Sequence, residues 1–105
     1  MNKQRRKQLE AVLTILARLL TESVETRNKA LEGLSDTVSE LSDEEQDALD
    51  NLPENMQFSE RADQMQDNVL ALGDIQDAID ECIDMDDDEF EEKYNEIEDM
   101  INELL

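Results

Sequence analysis

The sequence of 105 residues contains no histidine, no tryptophan, a single cysteine and a single proline. Without histidine it lacks the side chain used most often as a general acid or base. It also has no glycine-rich phosphate-binding loop and no serine or cysteine beside a base. These absences predict a protein that is not an enzyme and holds no cofactor. The lone Cys82 cannot form an internal disulfide, and its position on the inner face of a helix predicts a small core residue.

The shortage of glycine and aromatic residues limits the fold. The chain has two glycines, and its only aromatics are Phe58, Phe90 and Tyr94. Such a composition leaves little turn chemistry for a sheet, and the abundant Leu, Ile, Ala and Met favour helix. No segment has the length and apolarity of a signal peptide or of a membrane span. We therefore expect an all-α, soluble protein with a thin aliphatic core, in a reducing compartment.

Basic residues are scarce after residue 31. Residues 1–31 carry a net charge of +4, whereas residues 32–105 carry −25, and the whole chain carries −21. A small domain needs a net charge of only about 2 to 8 for solubility. The excess predicts a basic partner, because carboxylates in rows on helices can occupy a groove that holds nucleic-acid phosphates. The candidate partner-binding acids are Asp43, Glu44, Asp47, Asp50, Asp74, Asp77, Asp80, Glu81, Asp84, Asp87, Asp88, Glu91 and Glu92.

Apolar residues recur at the helical period along most of the chain. They predict a first helix over about 3–51, in which Arg27 and Glu45 interrupt the apolar seam. A break near 33–42 is possible, because Gly33 disfavours helix and Ser42–Glu45 has the pattern of a capping box. A continuous helix and a broken one both remain open.

Pro53 predicts a turn over 52–59, and Ser59 is a good N-cap for a helix over about 60–84. A further helix is expected over about 87–104. The acidic cluster at 86–88 either kinks one long helix or separates two. The residues predicted to pack the helices are Leu9, Leu13, Leu16, Leu20, Leu31, Leu34, Val38, Leu41, Met65, Val69, Leu72, Ile79, Ile83, Ile97 and Ile101.

Together these elements predict one helical domain, 1–105, folded as a long hairpin or a three-helix bundle with coiled-coil-like packing. A two-helix hairpin would leave Ile15, Leu19 and Leu70 near water, so we expect dimerisation to complete the core. An antiparallel hairpin would also place the basic Lys3–Lys7 beside the acidic Glu89–Glu103.

Three aspartates, Asp84, Asp86 and Asp88, have the spacing of the first ligands of an EF-hand loop. The pattern then fails, because Glu89 replaces the required glycine and Asn95 replaces the bidentate glutamate. The sequence therefore predicts no dedicated metal site.

The segment Asp43–Gln57, followed by Ser59–Arg61 and Met65, resembles a loosely defined group of small acidic helical proteins encoded by bacteriophages. The basic start of the chain, Lys3 and Arg5–Lys7, is similar to theirs. The resemblance implies a viral origin, expression in the cytoplasm of a bacterial host, and a role like that of inhibitors of host defence or DNA-processing proteins. It offers no catalytic residues.

The sequence thus favours a non-enzymatic acidic inhibitor or nucleic-acid mimic that binds a basic host protein. The alternative is a coiled-coil assembly factor or chaperone that acts through its apolar stripes. Direct binding of nucleic acid or of a membrane is not expected, because the acidic body would oppose contact through the basic N-terminus.

Overall fold

The computed structural model describes residues 1–105 as four helices, and it confirms the predicted all-α class with 85% of residues helical. Helix α1 spans Lys3–Arg18, α2 Val24–Asp50, α3 Glu60–Glu81 and α4 Asp87–Leu104. Short 3-10 turns occupy Leu19–Thr21 and Glu54–Met56. None of the helices combines the length and the apolarity that crossing a bilayer requires.

The two longest helices, α2 and α3, form a hairpin around Pro53 and make the most extensive contact in the molecule. Helix α1 packs against α2 and α4, and α3 packs against the same two helices. The helices therefore form a ring in which α1 lies diagonally opposite α3. The molecule is elongated, with extents of 50 × 20 × 20 Å.

The first helix ends at Arg18 and the chain turns at Leu19–Ser23, a break that the sequence did not indicate, whereas the region 33–42, where a break was left open, is continuous helix. Ser23 is the N-cap of α2, and its hydroxyl accepts a hydrogen bond from the backbone N–H of Thr26 at 3.2 Å. Helix α2 continues through Gly33 and Ser42. Burial of apolar neighbours such as Leu34 outweighs the cost of a helical glycine, which is about 1 kcal/mol.

The core contains 17 buried apolar side chains contributed by all four helices and by the turn after α1. Eleven of the 15 predicted packing residues are buried, and the other four, Leu13, Leu20, Val69 and Ile83, are half-buried. Leu19, which a two-helix hairpin would leave near water, is only 5% exposed. The chain reverses at this residue, which turns its side chain into the core.

The break after α1 also changes the architecture from the expected hairpin or three-helix bundle. It supplies a fourth helix from the same chain, so the four-helix bundle forms without a second copy. Dimerisation and coiled-coil packing stay predictions. The acidic cluster separates two helices, because α3 ends at Glu81 and α4 begins at Asp87.

The basic N-terminal segment has a different partner from the one expected. No ion pair joins Lys3–Lys7 to Glu89–Glu103; instead Nη2 of Arg5 lies 3.1 Å from the buried carboxylate of Glu45 on α2. A carboxylate inside the fold needs a nearby cation far more than an exposed one does.

Candidate functional site

The four helices differ sharply in charge. Helix α1 carries +4, whereas α2 carries −7, α3 −6 and α4 −8. The connecting residues add −4, which accounts for the total of −21. The acidic surface is thus spread over α2, α3 and α4, and the basic residues are concentrated on α1.

Almost all of the carboxylates project into solvent without a cation. Of the 30 acidic side chains, 28 are exposed; Glu98 is half-buried and Glu45 is buried. Only four, namely Glu45, Glu81, Asp87 and Glu96, have a cationic nitrogen within 4.0 Å. The remaining 26 have no internal ion pair, so their charge is available to another molecule.

All 13 of the predicted partner-binding acids are exposed, but the structure divides them into two groups. The turn-end acids lie in the last eight residues of α2, and the junction acids lie in the last eight residues of α3, in the α3–α4 connection and in the first six residues of α4. The turn-end acids are Asp43, Glu44, Asp47 and Asp50. The junction acids are Asp74, Asp77, Asp80, Glu81, Asp84, Asp87, Asp88, Glu91 and Glu92.

A distance along α2 shows how far apart the two groups lie. Arg27 contacts Asp87 in the junction group. Asp47 follows Arg27 by 20 residues in the same helix, which corresponds to about 30 Å at 1.5 Å per residue. The structure therefore does not bring the 13 acids together into one surface.

Helical spacing connects the turn-end acids to further carboxylates that were not predicted as partner-binding. Steps of three or four residues place the acids of α2 in one row, with neighbours about 5 to 6 Å apart. The row consists of Glu32, Asp36, Glu40, Asp43, Asp47 and Asp50. Applying the helical period to acidic residues, as well as to apolar ones, would have predicted Glu32, Asp36 and Glu40 as members of this row.

A similar row follows α3, where one member of the series is apolar. Asp63, Asp67, Asp74 and Asp77 keep the same spacing, and Leu70 occupies the position between the second and the third. Its side chain is 62% exposed. An apolar side chain therefore lies within an acidic row.

Two of the junction acids, Asp84 and Asp87, are held in place by the first turns of α2. Arg27 is fully buried and donates hydrogen bonds to the Asp87 carboxylate at 2.9 Å and to the Met85 carbonyl at 2.7 Å. Its guanidinium lies 4.6 Å from the ring centre of Phe90, within cation–π distance. Because these contacts reach 58 to 63 residues along the chain, Arg27 fixes the start of α4 rather than merely interrupting the apolar seam.

Asn28 makes a second link to the same connection. Its side chain accepts a hydrogen bond from the backbone N–H of Asp84 and donates one to the Asp84 carboxylate, both at 2.9 Å. Asp84 has a φ of 65°, in the left-handed region that aspartate tolerates better than most residues. The reversal between α3 and α4 is therefore a defined structure.

Two of the three aspartates with EF-hand spacing, Asp84 and Asp86, make hydrogen bonds within the protein. The Asp86 carboxylate caps α4 by accepting a hydrogen bond from the N–H of Glu89 at 2.8 Å, which lowers the pKa of Asp86. Asp84 is engaged by Asn28, and no group of three potential metal ligands converges anywhere in the structure.

Cys82 is the C-cap of α3, and Lys93 on α4 reaches the same end of α3. Cys82 is buried, as its position on the inner face of the helix predicted, and burial raises the pKa of its thiol to about 11. Lys93 contacts Glu81 at 2.8 Å and Glu96 at 3.3 Å. The hydrogen bond to Glu81 is the main cause that raises the pKa of Lys93.

At the opposite end, Glu45 is the buried anion around which the N-terminus is organised. Besides its ion pair with Arg5, it accepts a hydrogen bond from the Asn68 amide at 3.2 Å and lies 3.4 Å from the Met1 amine. A cleft of about 390 Å³ opens beside it, between α1 and the α2–α3 hairpin. Arg6 and Arg61, which sequence reasoning did not connect, both line this cleft.

The arrangement as a whole offers fixed charge, with no nucleophile or general base set in an apolar pocket. Unpaired carboxylates on rigid helices can attract and hold a cationic surface. Comparison with known proteins gives no match to any family model, curated protein or solved structure.

Proposed function

We propose that this chain is a non-enzymatic interaction protein whose acidic helices bind the Lys/Arg-rich surface of a basic protein in the place of a nucleic acid. The observation that carries the proposal is the set of 26 carboxylates, on ordered helices and their connections, that have no internal cation. A surface that served only solubility would need far less charge.

The charge density supports this proposal. A net charge of −21 along a molecule 50 Å long gives about one negative charge per 2.4 Å. Duplex DNA carries one per about 1.7 Å, and each of its strands one per about 3.4 Å. A groove built to neutralise a nucleic-acid backbone would therefore meet a comparable linear charge on this bundle.

The junction acids are the part of the surface best suited to this role. The buried Arg27 and the paired hydrogen bonds of Asn28 fix the connection around which they lie. A surface that is already ordered loses less conformational entropy on binding. Each exposed ion pair contributes only about 0 to 1 kcal/mol, so affinity would come from many pairs and from counterion release.

The resemblance to small acidic phage proteins suggests what the partner is. On that basis we propose a DNA-processing or defence protein of a bacterial host. The rival role, a coiled-coil assembly factor acting through apolar stripes, has less support, because most of those stripe residues lie in the core. The large apolar side chains that are exposed, Ile15, Val24, Phe58, Leu70 and Leu105, are scattered over α1, α2, α3, the connection before α3 and the residue after α4.

The test compares two variants with equal charge change at the two acid groups. One neutralises the junction acids Asp77→Asn, Asp80→Asn and Glu91→Gln, and the other neutralises the turn-end acids Asp43→Asn, Glu44→Gln and Asp47→Asn. All six side chains are exposed and make no side-chain hydrogen bond or ion pair. Immobilised wild-type protein and both variants would capture partners from bacterial lysate at low salt.

The proposal expects captured proteins to elute with added duplex DNA and with rising salt, since screening shortens the reach of charge to about 8 Å at physiological ionic strength. The junction variant should capture less than the turn-end variant. Capture that resists both duplex DNA and high salt would contradict nucleic-acid mimicry. Equal loss in both variants would leave net charge as the cause and would remove the junction from the proposal.

A further inference from the structure

We propose that the cleft beside Glu45 is a binding site for the phosphate group of a small organic molecule. Its wall brings together three arginines from helices distant in sequence, namely Arg5 and Arg6 on α1 and Arg61 on α3. They represent a third of the nine basic side chains in a molecule with a net charge of −21. This local concentration of positive charge is independent of the acidic surface discussed above.

Two of these arginines have no anionic partner in the protein. Arg6 and Arg61 are exposed and form no ion pair, although most of the surface around the bundle is acidic. Arg5 is committed through one nitrogen to Glu45, and its buried Nε has no acceptor. The cleft therefore presents guanidinium donors that the fold itself leaves unused.

The charge balance favours a phosphate over a carboxylate. Three arginines and the Met1 amine, against one glutamate, give the cleft a net charge of +3. A phosphate monoester carries about −1.5 to −2 at pH 7, whereas a carboxylate carries −1. Planar guanidinium groups bind phosphate and carboxylate alike through two parallel hydrogen bonds, so the larger charge of the phosphate is what separates the two ligands.

The remaining walls indicate that the ligand has an apolar part. The side chains of Ala48, Leu52 and Met65 line the same cleft as the arginines, and Gln64 adds an amide. A volume of about 390 Å³ lies within the range of about 300 to 1,000 Å³ that is usual for small-molecule sites. Such a cleft fits a phosphate against Arg6 and Arg61 with a small hydrophobic group over Leu52.

The experiment titrates the wild-type protein with phenyl phosphate, with inorganic phosphate and with benzoate, following backbone amide shifts by NMR. Benzoate has a similar ring but a single negative charge, so it separates the phosphate requirement from the apolar contact. One variant, Arg6→Gln with Arg61→Gln, removes both unpaired cleft cations. Its control, Arg18→Gln with Lys29→Gln, removes two exposed cations that form no ion pair and do not line the cleft.

We expect saturable phenyl phosphate binding with shifts around Gln64 and Asn68, and at least tenfold weaker binding of benzoate. The cleft variant should lose at least tenfold in affinity, because hydrogen bonds between charged groups are the stronger kind. The control should bind as the wild type does. Melting curves of both variants would show that each is folded. Absence of saturable binding, equal affinity for benzoate, or equal loss in the control would overturn the proposal.

Discussion

Replacement of Arg27 by alanine should destabilise the protein far more than replacement of its ion-pair partner Asp87 by asparagine. The guanidinium is fully buried, whereas the Asp87 side chain is 77% exposed. Water already screens the carboxylate, so its charge contributes at most about 1 kcal/mol to the pair. The asparagine oxygen can still accept the hydrogen bond from Arg27. We therefore expect Asp87→Asn to cost about 1 kcal/mol or less.

The cost of Arg27→Ala follows from its other contacts. The charge-assisted hydrogen bond to the Met85 carbonyl is worth about 1.5 to 3 kcal/mol. The contact with Phe90 adds about 1 to 2 kcal/mol when desolvated. The buried methylenes add about 0.8 kcal/mol each. Relief of the desolvation penalty offsets part of this sum, which leaves a net loss of about 3 kcal/mol.

Urea unfolding followed by circular dichroism at fixed ionic strength measures both variants, because guanidinium chloride would itself screen the acids. For a domain of this size, a loss of 3 kcal/mol lowers the melting temperature by about 12 to 24 °C. The assigned contacts would be refuted if Asp87→Asn proved as destabilising as Arg27→Ala. They would equally be refuted if Arg27→Ala cost less than about 1 kcal/mol.

Three further predictions concern stability. Ser23→Ala should lower the free energy of unfolding in urea by about 0.5 to 2 kcal/mol, because it removes the N-cap of α2. Ser42→Ala, within α2, should leave the free energy of unfolding unchanged. A larger loss in Ser42→Ala than in Ser23→Ala would contradict the observed helix break. Gly33→Ala and Gly73→Ala should each raise the urea midpoint by the equivalent of about 0.5 to 1 kcal/mol, since both lie within helices and an added Cβ meets no atom within 4 Å. The pKa of Cys82 rises from 9.0 to about 11 on folding, so the folded state retains the proton longer and stability should fall between those pH values. The fall should be smaller in Cys82→Ala, and an unchanged pH profile would contradict this role for the thiol.

The helix content could be predicted from the sequence, but the position of the first turn could not. The apolar stripe of α1 resumes in α2 at nearly the same period, so Leu20 and Leu31 can belong to one continuous helix. Gly33 and the Ser42–Glu45 pattern are stronger local signals than Ser23, yet the helix passes through both. Tertiary packing decides where the first turn lies, because a chain that folds back at Leu19 lets α1 bury its apolar stripe against α2 and α4.

The two charged residues in the apolar seam show a second limit. Arg27 and Glu45 interrupt the pattern, and the sequence gives no reason for their presence there. Their partners lie far along the chain, at Asp87 for Arg27 and at Arg5 and Asn68 for Glu45. Local periodicity cannot identify such pairs. For the same reason the sequence indicated the exposure of the acidic residues but not their division into two groups.

The ring arrangement of the helices gives the molecule a dipole moment perpendicular to its long axis. Helix α1, with +4, lies diagonally opposite α3, with −6, across a section about 20 Å wide. A basic surface approaching from any side exerts a torque that turns α1 away and α3 inward. Because the Debye length is about 8 Å at physiological salt, this alignment acts only during the last part of the approach. Toward a basic surface, this dipole favours the orientation in which the acidic row that contains Leu70 faces that surface.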